Sequence, residues 1–251
     1  MTGGLAEELV VSSGAGLERY EIPAWRDQFG VVAGITSAAS DFRLAGTPPR
    51  GEARSSWDQF RTMFSGSFPA VVVGYQSHGT AVVVHRDPGS NWQAWQDVDG
   101  HVTEAPGILL AATVADCIPI YLTDPERRAV GLLHAGWRGL AGGIVEQGVA
   151  AMLSVTGSST ADIVSHCGIG ICGDCYEVGP EVVERVVSRP AEGPQPLDLR
   201  AAVADRMTRL GVGLTTLSPW CSAHHAPRFH SHRGSKGSAG RMLAYIGVPL
   251  A

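Results

Sequence analysis

No stretch of this sequence approaches the roughly 20 consecutive apolar residues of a membrane-spanning helix. No Lys or Arg precedes Arg19, while Glu7 and Glu8 do, so the basic start and apolar run of a secretory signal are both missing. Charged residues make up only 17% of the chain and the net charge is −5, so the basic surface that a nucleic-acid backbone demands is lacking too. The cysteines are Cys117, Cys167, Cys172, Cys175 and Cys221, and their odd number and clustering do not read as the disulfide framework of a secreted domain. Together these absences predict a cytoplasmic protein with reduced thiols that binds neither membrane nor nucleic acid and has no obligate protein partner.

What is present is ordinary globular material. The chain has 251 residues, 44% of them hydrophobic, which is enough for a sizeable core. Gly 32 and Pro 15 are high for this length and predict many turns. Residues 30–36 read as a buried strand, 45–55 as a loop and 57–64 as a short helix. The β-branched runs at 69–75 and 80–85 read as strands separated by Gln76-Ser77-His78-Gly79. Residues 87–101 are polar and read as turns. Further strands are predicted at 108–114, 118–122 and 129–134, with a turn at Asp124-Pro125-Glu126-Arg127. The period then changes to helical through Leu140, Ile144, Val145, Val149, Met152 and Leu153. A strand at 163–171, a Pro-started helix at 180–187, a helix capped by Asp198, a strand at 214–217, a loop at 229–240 and a closing core segment at 242–248 follow. No repeat, linker or boundary interrupts this, so the chain reads as a single domain over 1–251.

Three residues at predicted element ends stand out as metal ligands. His78 sits in the Q-S-H-G turn, Cys117 in A-D-C-I-P, and His134 closes a strand before A-G-W-R-G. Cys and His suit zinc, and three protein ligands leave a fourth position open for chemistry. Asp116 is placed to orient a ligand histidine from the outer shell. Against this stands the plain reading, a buried small hydrophobe for Cys117 and hydrogen-bonded histidines at strand ends.

The segments QSHGTAVVVH, ADCIPIYLTDPERRAVGLLHAGWRGLAGGIVEQGV, CYEVGPEV and FHSHRGSKGSAGR resemble the bacterial YfiH/YlmD family, also called the laccase-domain or polyphenol-oxidase family. They are similar as well to the animal purine-nucleoside enzyme FAMIN. The resemblance covers 67–251 and leaves 1–66 divergent: GITSAASDFRLAGTPP stands where the family usually has an Arg-Gly-Gly turn and a Ser-Leu-Asn-Leu-Gly stretch. GIGICGDCYEV stands where it usually has Gly-Pro-x-Ile-Gly-Pro-Cys-Cys-Tyr-Glu-Val, with Asp174 replacing the first cysteine, and His230 replaces an aromatic.

The resemblance implies an α+β fold, a single-domain α/β sandwich of mixed β-sheets flanked by helices, comparable to a cysteine-hydrolase toxin domain. It implies His78, Cys117 and His134 as ligands of zinc, with copper the lesser choice. It also implies Cys117, His134 and Asp116 as catalytic residues, and Arg138, Arg233, His232, Asp99 and Cys175 as substrate contacts. Arg138 opens a helix, where an anion such as phosphate is favoured, and Lys236 and Arg241 flank Arg233 in a glycine-rich loop. Asp99 is expected to orient His78 or to lie beside the substrate. Cys172-Gly173-Asp174-Cys175 reads either as a buried strand-to-turn segment or, with Cys167 and His166, as a structural zinc site.

The implied reaction is metal-dependent purine nucleoside phosphorolysis on a small-molecule nucleoside and phosphate, with adenosine deamination beside it. None of the nine histidines is followed two residues later by Glu, so the deaminase H-x-E signature is absent. Copper phenol oxidation needs several H-x-H pairs, and the chain has only His230-Ser231-His232. Amide hydrolysis in cell-wall precursor editing would use Cys117 as nucleophile and His134 as base. A fourth alternative is a non-catalytic protein that keeps the metal as a staple.

Overall fold

The computed structural model describes residues 7–10, 16–44, 51–89 and 91–250. In chain order its first strands are β1 (Glu8–Val10), β2 (Arg19–Glu21), β3 (Val32–Thr36), β4 (Ala70–Tyr75), β5 (Val82–His85), β6 (Asn91–Gln96) and β7 (Gly100–Thr103). They continue as β8 (Ile108–Val114), β9 (Ile118–Asp124), β10 (Ala129–Ala135), β11 (Val164–Cys167), β12 (Glu177–Val178), β13 (Gln195–Pro196), β14 (Leu214–Leu217) and β15 (Met242–Gly247). The helices are α1 (Pro23–Phe29), α2 (Gly51–Phe64), α3 (Trp137–Gly142), α4 (Ile144–Thr156), α5 (Pro180–Val187) and α6 (Leu199–Leu210). Among the described residues no helix is long and apolar enough to cross a membrane.

Two mixed sheets form the centre. One runs β1-β2-β3-β15-β8-β4-β6, the other β14-β11-β9-β10-β7-β5. Strand alternation explains the layers. Ala70 and Val72 of β4 face inward with Ile108, Leu110 and Ile246, against Tyr121, Val130 and Leu132 of the second sheet. Val71 and Val73 point the other way, onto Trp57, Phe60 and Phe64 of α2. The outer face of the second sheet carries Val102, Ile120, Leu122 and Leu133 and is covered by α4, α5 and α6. The result is a sandwich of two mixed sheets flanked by helices, as the family resemblance implied. The Tyr121 hydroxyl crosses between the sheets to donate to the Gly34 carbonyl at 2.9 Å.

Most segments predicted from periodicity form as expected, and the departures have physical causes. Residues 51–55, read as loop, are the first turns of α2; residues 45–50 lie outside the described set. Burying Ala53, Trp57, Phe60 and Phe64 at helical spacing overrides a locally polar composition. Each large apolar side chain so buried contributes about 1.5–3 kcal/mol. Residues 87–101, read as turns, contain β6 and the start of β7. β6 is a sheet edge with Trp95 exposed, and β7 buries Gly100 and His101, the latter paired with His85 of β5, so neither shows apolar alternation. The single helix expected after His134 is broken into α3 and α4 at Gly143, whose φ is +99°. The strand expected over 163–171 stops at Cys167.

Candidate metal centre

The site is built at the ends of strands that meet where the two sheets come together. The turn between β4 and β5 carries His78 at φ +61°, a region disfavoured for a residue with a Cβ. A buried carboxylate holds it there. Asp99 accepts backbone N–H bonds from Ser77 at 3.2 Å, His78 at 3.1 Å and Gly79 at 2.8 Å. The same carboxylate receives His134 Nδ1 at 2.8 Å. Gln76 fixes the other side of the turn, donating to the Thr113 carbonyl at 2.8 Å while its Oε1 accepts from Thr113 N–H and hydroxyl.

Cys117 follows Asp116 in the connection between β8 and β9. Asp116 is also left-handed, at φ +83°. Its carboxylate accepts the Ser222 hydroxyl and the Arg233 backbone N–H, both at 2.6 Å. Asp116 therefore shapes the loop that presents Cys117. The expected role of orienting a ligand histidine belongs to Asp99, which is placed between the His78 turn and the His134 ring.

The donor atoms of His78, Cys117 and His134 all lie within 4.8 Å of one another, and the two imidazole rings are 4.9 Å apart. Because Asp99 takes Nδ1 of His134, Nε2 is left for an ion. Glycines make room for the cluster: a Cβ at Gly136 would stand 2.9 Å from the His78 ring and 3.1 Å from Cys117 Sγ. A Cβ at Gly139 would stand 2.8 Å from the Gly79 carbonyl.

Electrostatics agree with the donor set. Burial pushes the Cys117 thiol up, but the His134 and His78 rings outweigh it and bring it down to about 6. Burial pushes His134 down, but the Cys117 thiolate and Asp99 raise it to about 9. Burial likewise works against the charged form of Asp99, and the His134 ring and Gly79 N–H overcome it, leaving the carboxyl below its ordinary value. A thiol poised as thiolate between two imidazoles fits a divalent metal.

These three residues line a cleft of 740 Å³. Arg138, His232, Arg233 and Arg241 also line it, as do Trp137 and Tyr176. Arg138 is exposed, with its guanidinium 4.5 Å from the Trp137 ring. Arg233 lies 5.0 Å over the Tyr176 ring and donates to the Glu177 carbonyl at 2.9 Å. Lys236 is not among the lining residues. Cys175 is not either; it faces Cys172, Cys221 and His224. Neither Cys167 nor His166 joins that group: Cys167 is buried in the core and its thiol is pushed up to about 12 by burial, while His166 is held by Thr216 and Glu7. The sequence reading missed Gln76, Tyr176 and Trp137, although all three sit inside or beside the quoted motifs.

Known proteins resemble this chain over most of its length. Residues 52–249 match the family described as "Multi-copper polyphenol oxidoreductase laccase". A protein of Deinococcus radiodurans named purine nucleoside phosphorylase is 39% identical over 183 residues, 69% of this chain and 68% of that one. "Adenosine deaminase RL5", from an unknown prokaryotic organism, is 37% identical over 166 residues, covering 61% of this chain and 63% of its own. The crystal structure of YlmD from Geobacillus stearothermophilus superposes with a TM-score of 0.84 at 27% identity, over 96% of this chain and 99% of that one. The chain belongs to the laccase-domain family that includes YfiH and YlmD.

Proposed function

We infer that this protein is a zinc-dependent purine nucleoside phosphorylase. The observation that carries the reading is one cleft in which the His78–Cys117–His134 donor set lies beside the guanidinium groups of Arg138 and Arg233. The relatives named as purine nucleoside phosphorylases supply the substrate class. In the reaction a phosphate oxygen bonds to the anomeric carbon, the bond from that carbon to the purine nitrogen breaks, and its electron pair leaves on the base. The base is then protonated and ribose 1-phosphate remains.

Phosphate brings negative charge into the cleft, and Arg138 and Arg233 answer it with planar donors. Tyr176 and Trp137, each beside a guanidinium, offer aromatic faces for a purine. His232 lines the same cleft, and an imidazole there is suited to carry a proton to the leaving base. His78, Cys117 and His134 would hold the ion, which would supply electrophilic stabilisation of developing negative charge. Three ligands suit a catalytic zinc better than a closed structural one. Asp116, with both oxygens engaged, works by positioning Cys117 and Arg233.

Adenosine deamination is the second reading, favoured by the likeness to a relative named adenosine deaminase. Mass spectrometry of products from adenosine, inosine and guanosine, with phosphate and with or without chelator, separates the two. Free base and ribose 1-phosphate mark phosphorolysis, whereas inosine from adenosine marks deamination. Turnover that survives full metal removal would instead indicate a Cys117–His134 hydrolase chemistry. No product from fully metallated protein would overturn both readings.

A further inference from the structure

Away from the cleft, Cys172, Cys175, Cys221 and His224 bring one donor atom each to within 4.8 Å of all the others. The chain supplies them as two short pairs, Cys172-x-x-Cys175 and Cys221-x-x-His224. Each pair sits on a tight turn. Gly173–Cys175 is a single 3-10 turn, and Cys175 N–H donates back to the Cys172 carbonyl at 3.2 Å. A parallel bridge between Gly170 and Cys221 closes the long loop between the pairs.

The contacts inside the group are those of a metal knuckle. The backbone N–H of Cys172 points at Cys221 Sγ at 3.3 Å, and that of His224 at the same sulfur at 3.5 Å. Backbone donors aimed at a sulfur stabilise its thiolate, the form that binds metal. His224 Nδ1 lies 3.4 Å from Cys172 Sγ. Cys221 is buried, Cys172 and Cys175 are half-buried and His224 is exposed, so the histidine closes the group from the solvent side. All the cysteines are free thiols. Three thiols and an imidazole at these spacings match a closed, four-ligand structural zinc site.

We propose that Cys172, Cys175, Cys221 and His224 bind a second, structural zinc ion that fastens one wall of the cleft. Two connections carry its effect. Ser222, between ligands Cys221 and His224, donates its hydroxyl to Asp116, the neighbour of Cys117. Tyr176, directly after ligand Cys175, lines the cleft under the Arg233 guanidinium. The second ion thus holds the 170–176 and 218–225 segments together without touching the ligand space, since none of its four residues lines the cleft.

The test is metal stoichiometry with a spectroscopic check. Elemental analysis of the reduced wild-type protein is expected to give two zinc ions per chain. His224→Ala and Cys175→Ser are each expected to give one, and Cys117→Ser is expected to keep the one bound here. Reduced, metal-free wild-type protein titrated with cobalt(II) needs no variant. It should show a tetrahedral cobalt spectrum with thiolate charge-transfer absorption that Cys117→Ser retains and His224→Ala weakens. One zinc per chain in wild type with no change in His224→Ala, cobalt absorption that disappears entirely in Cys117→Ser, or a Cys172–Cys175 disulfide found in the protein as isolated would each overturn the proposal.

Discussion

Asp99 Oδ1 lies 2.8 Å from His134 Nδ1 while its carboxylate also gathers the backbone N–H groups of the turn that bears His78. One buried acid therefore sets both histidines of the metal centre. Asp99→Asn is expected to weaken zinc binding roughly 10- to 100-fold, the usual effect of losing such an outer partner. Zinc affinity measured by competition with a chromophoric chelator checks this. Wild-type affinity in Asp99→Asn would show that the turn holds itself.

Gly136→Ala places a methyl group 2.9 Å from the His78 ring and 3.1 Å from Cys117 Sγ. Neither neighbour can give way without leaving the donor set. The variant is expected to fold and to lose the ion bound by His78, Cys117 and His134. Circular dichroism for the fold and elemental analysis for the metal separate the two effects.

Arg138 is exposed and stacks on its neighbour Trp137, so replacing it should leave stability within about 0.5 kcal/mol of wild type. If it clamps phosphate through charge-assisted hydrogen bonds, Arg138→Ala should raise KM for phosphate roughly 10- to 100-fold. KM for the nucleoside should change much less. Steady-state kinetics varying phosphate and nucleoside separately decides the matter.

His85 and His101 form a buried pair, Nε2 to Nδ1 at 3.0 Å. Burial brings His85 from 6.5 down to about 4 and His101 from 6.5 down to about 3. Both folded values lie below the unfolded one, so as pH falls the unfolded chain binds these protons first. The pair therefore lowers stability progressively below about pH 6.5, and stability recovers as pH rises through that window. His101→Gln should flatten the slope of unfolding free energy between about pH 5 and 6.5 by up to about 1.4 kcal/mol per pH unit. Urea unfolding of both proteins across that range provides the comparison.

The meeting of His78, Cys117 and His134 was legible through the family resemblance carried by Q-S-H-G, A-D-C and H-A-G-W-R-G, and in the last of these Gly136 and Gly139 stand where a Cβ would crowd the cluster or the Gly79 carbonyl. Asp99 was recognised as a candidate, but its fourfold role was not, because no local pattern shows that a residue before β7 reaches back to the β4–β5 turn. The same limit applied to the cysteines. The Cys172–Cys175 pair is visible in the sequence, yet the zinc alternative there reaches for nearby Cys167 and His166, because the return of Cys221 and His224 to this place shows only in the fold, through the Gly170–Cys221 bridge. The strands at 108–114 and 129–134 were plain as apolar runs buried on both faces. β1 and β2 went unread because three residues each are too few to show a period, and β6 because it is a polar strand at the sheet edge.

The most direct test of the account is ribose 1-phosphate formation from inosine and phosphate, measured on one preparation before metal removal, after it, and after zinc is restored. The account predicts turnover that is lost with the metal, returns with zinc, and stays absent in Cys117→Ser under all three conditions. Equal turnover by the metal-free protein, or ribose 1-phosphate from Cys117→Ser, would contradict it.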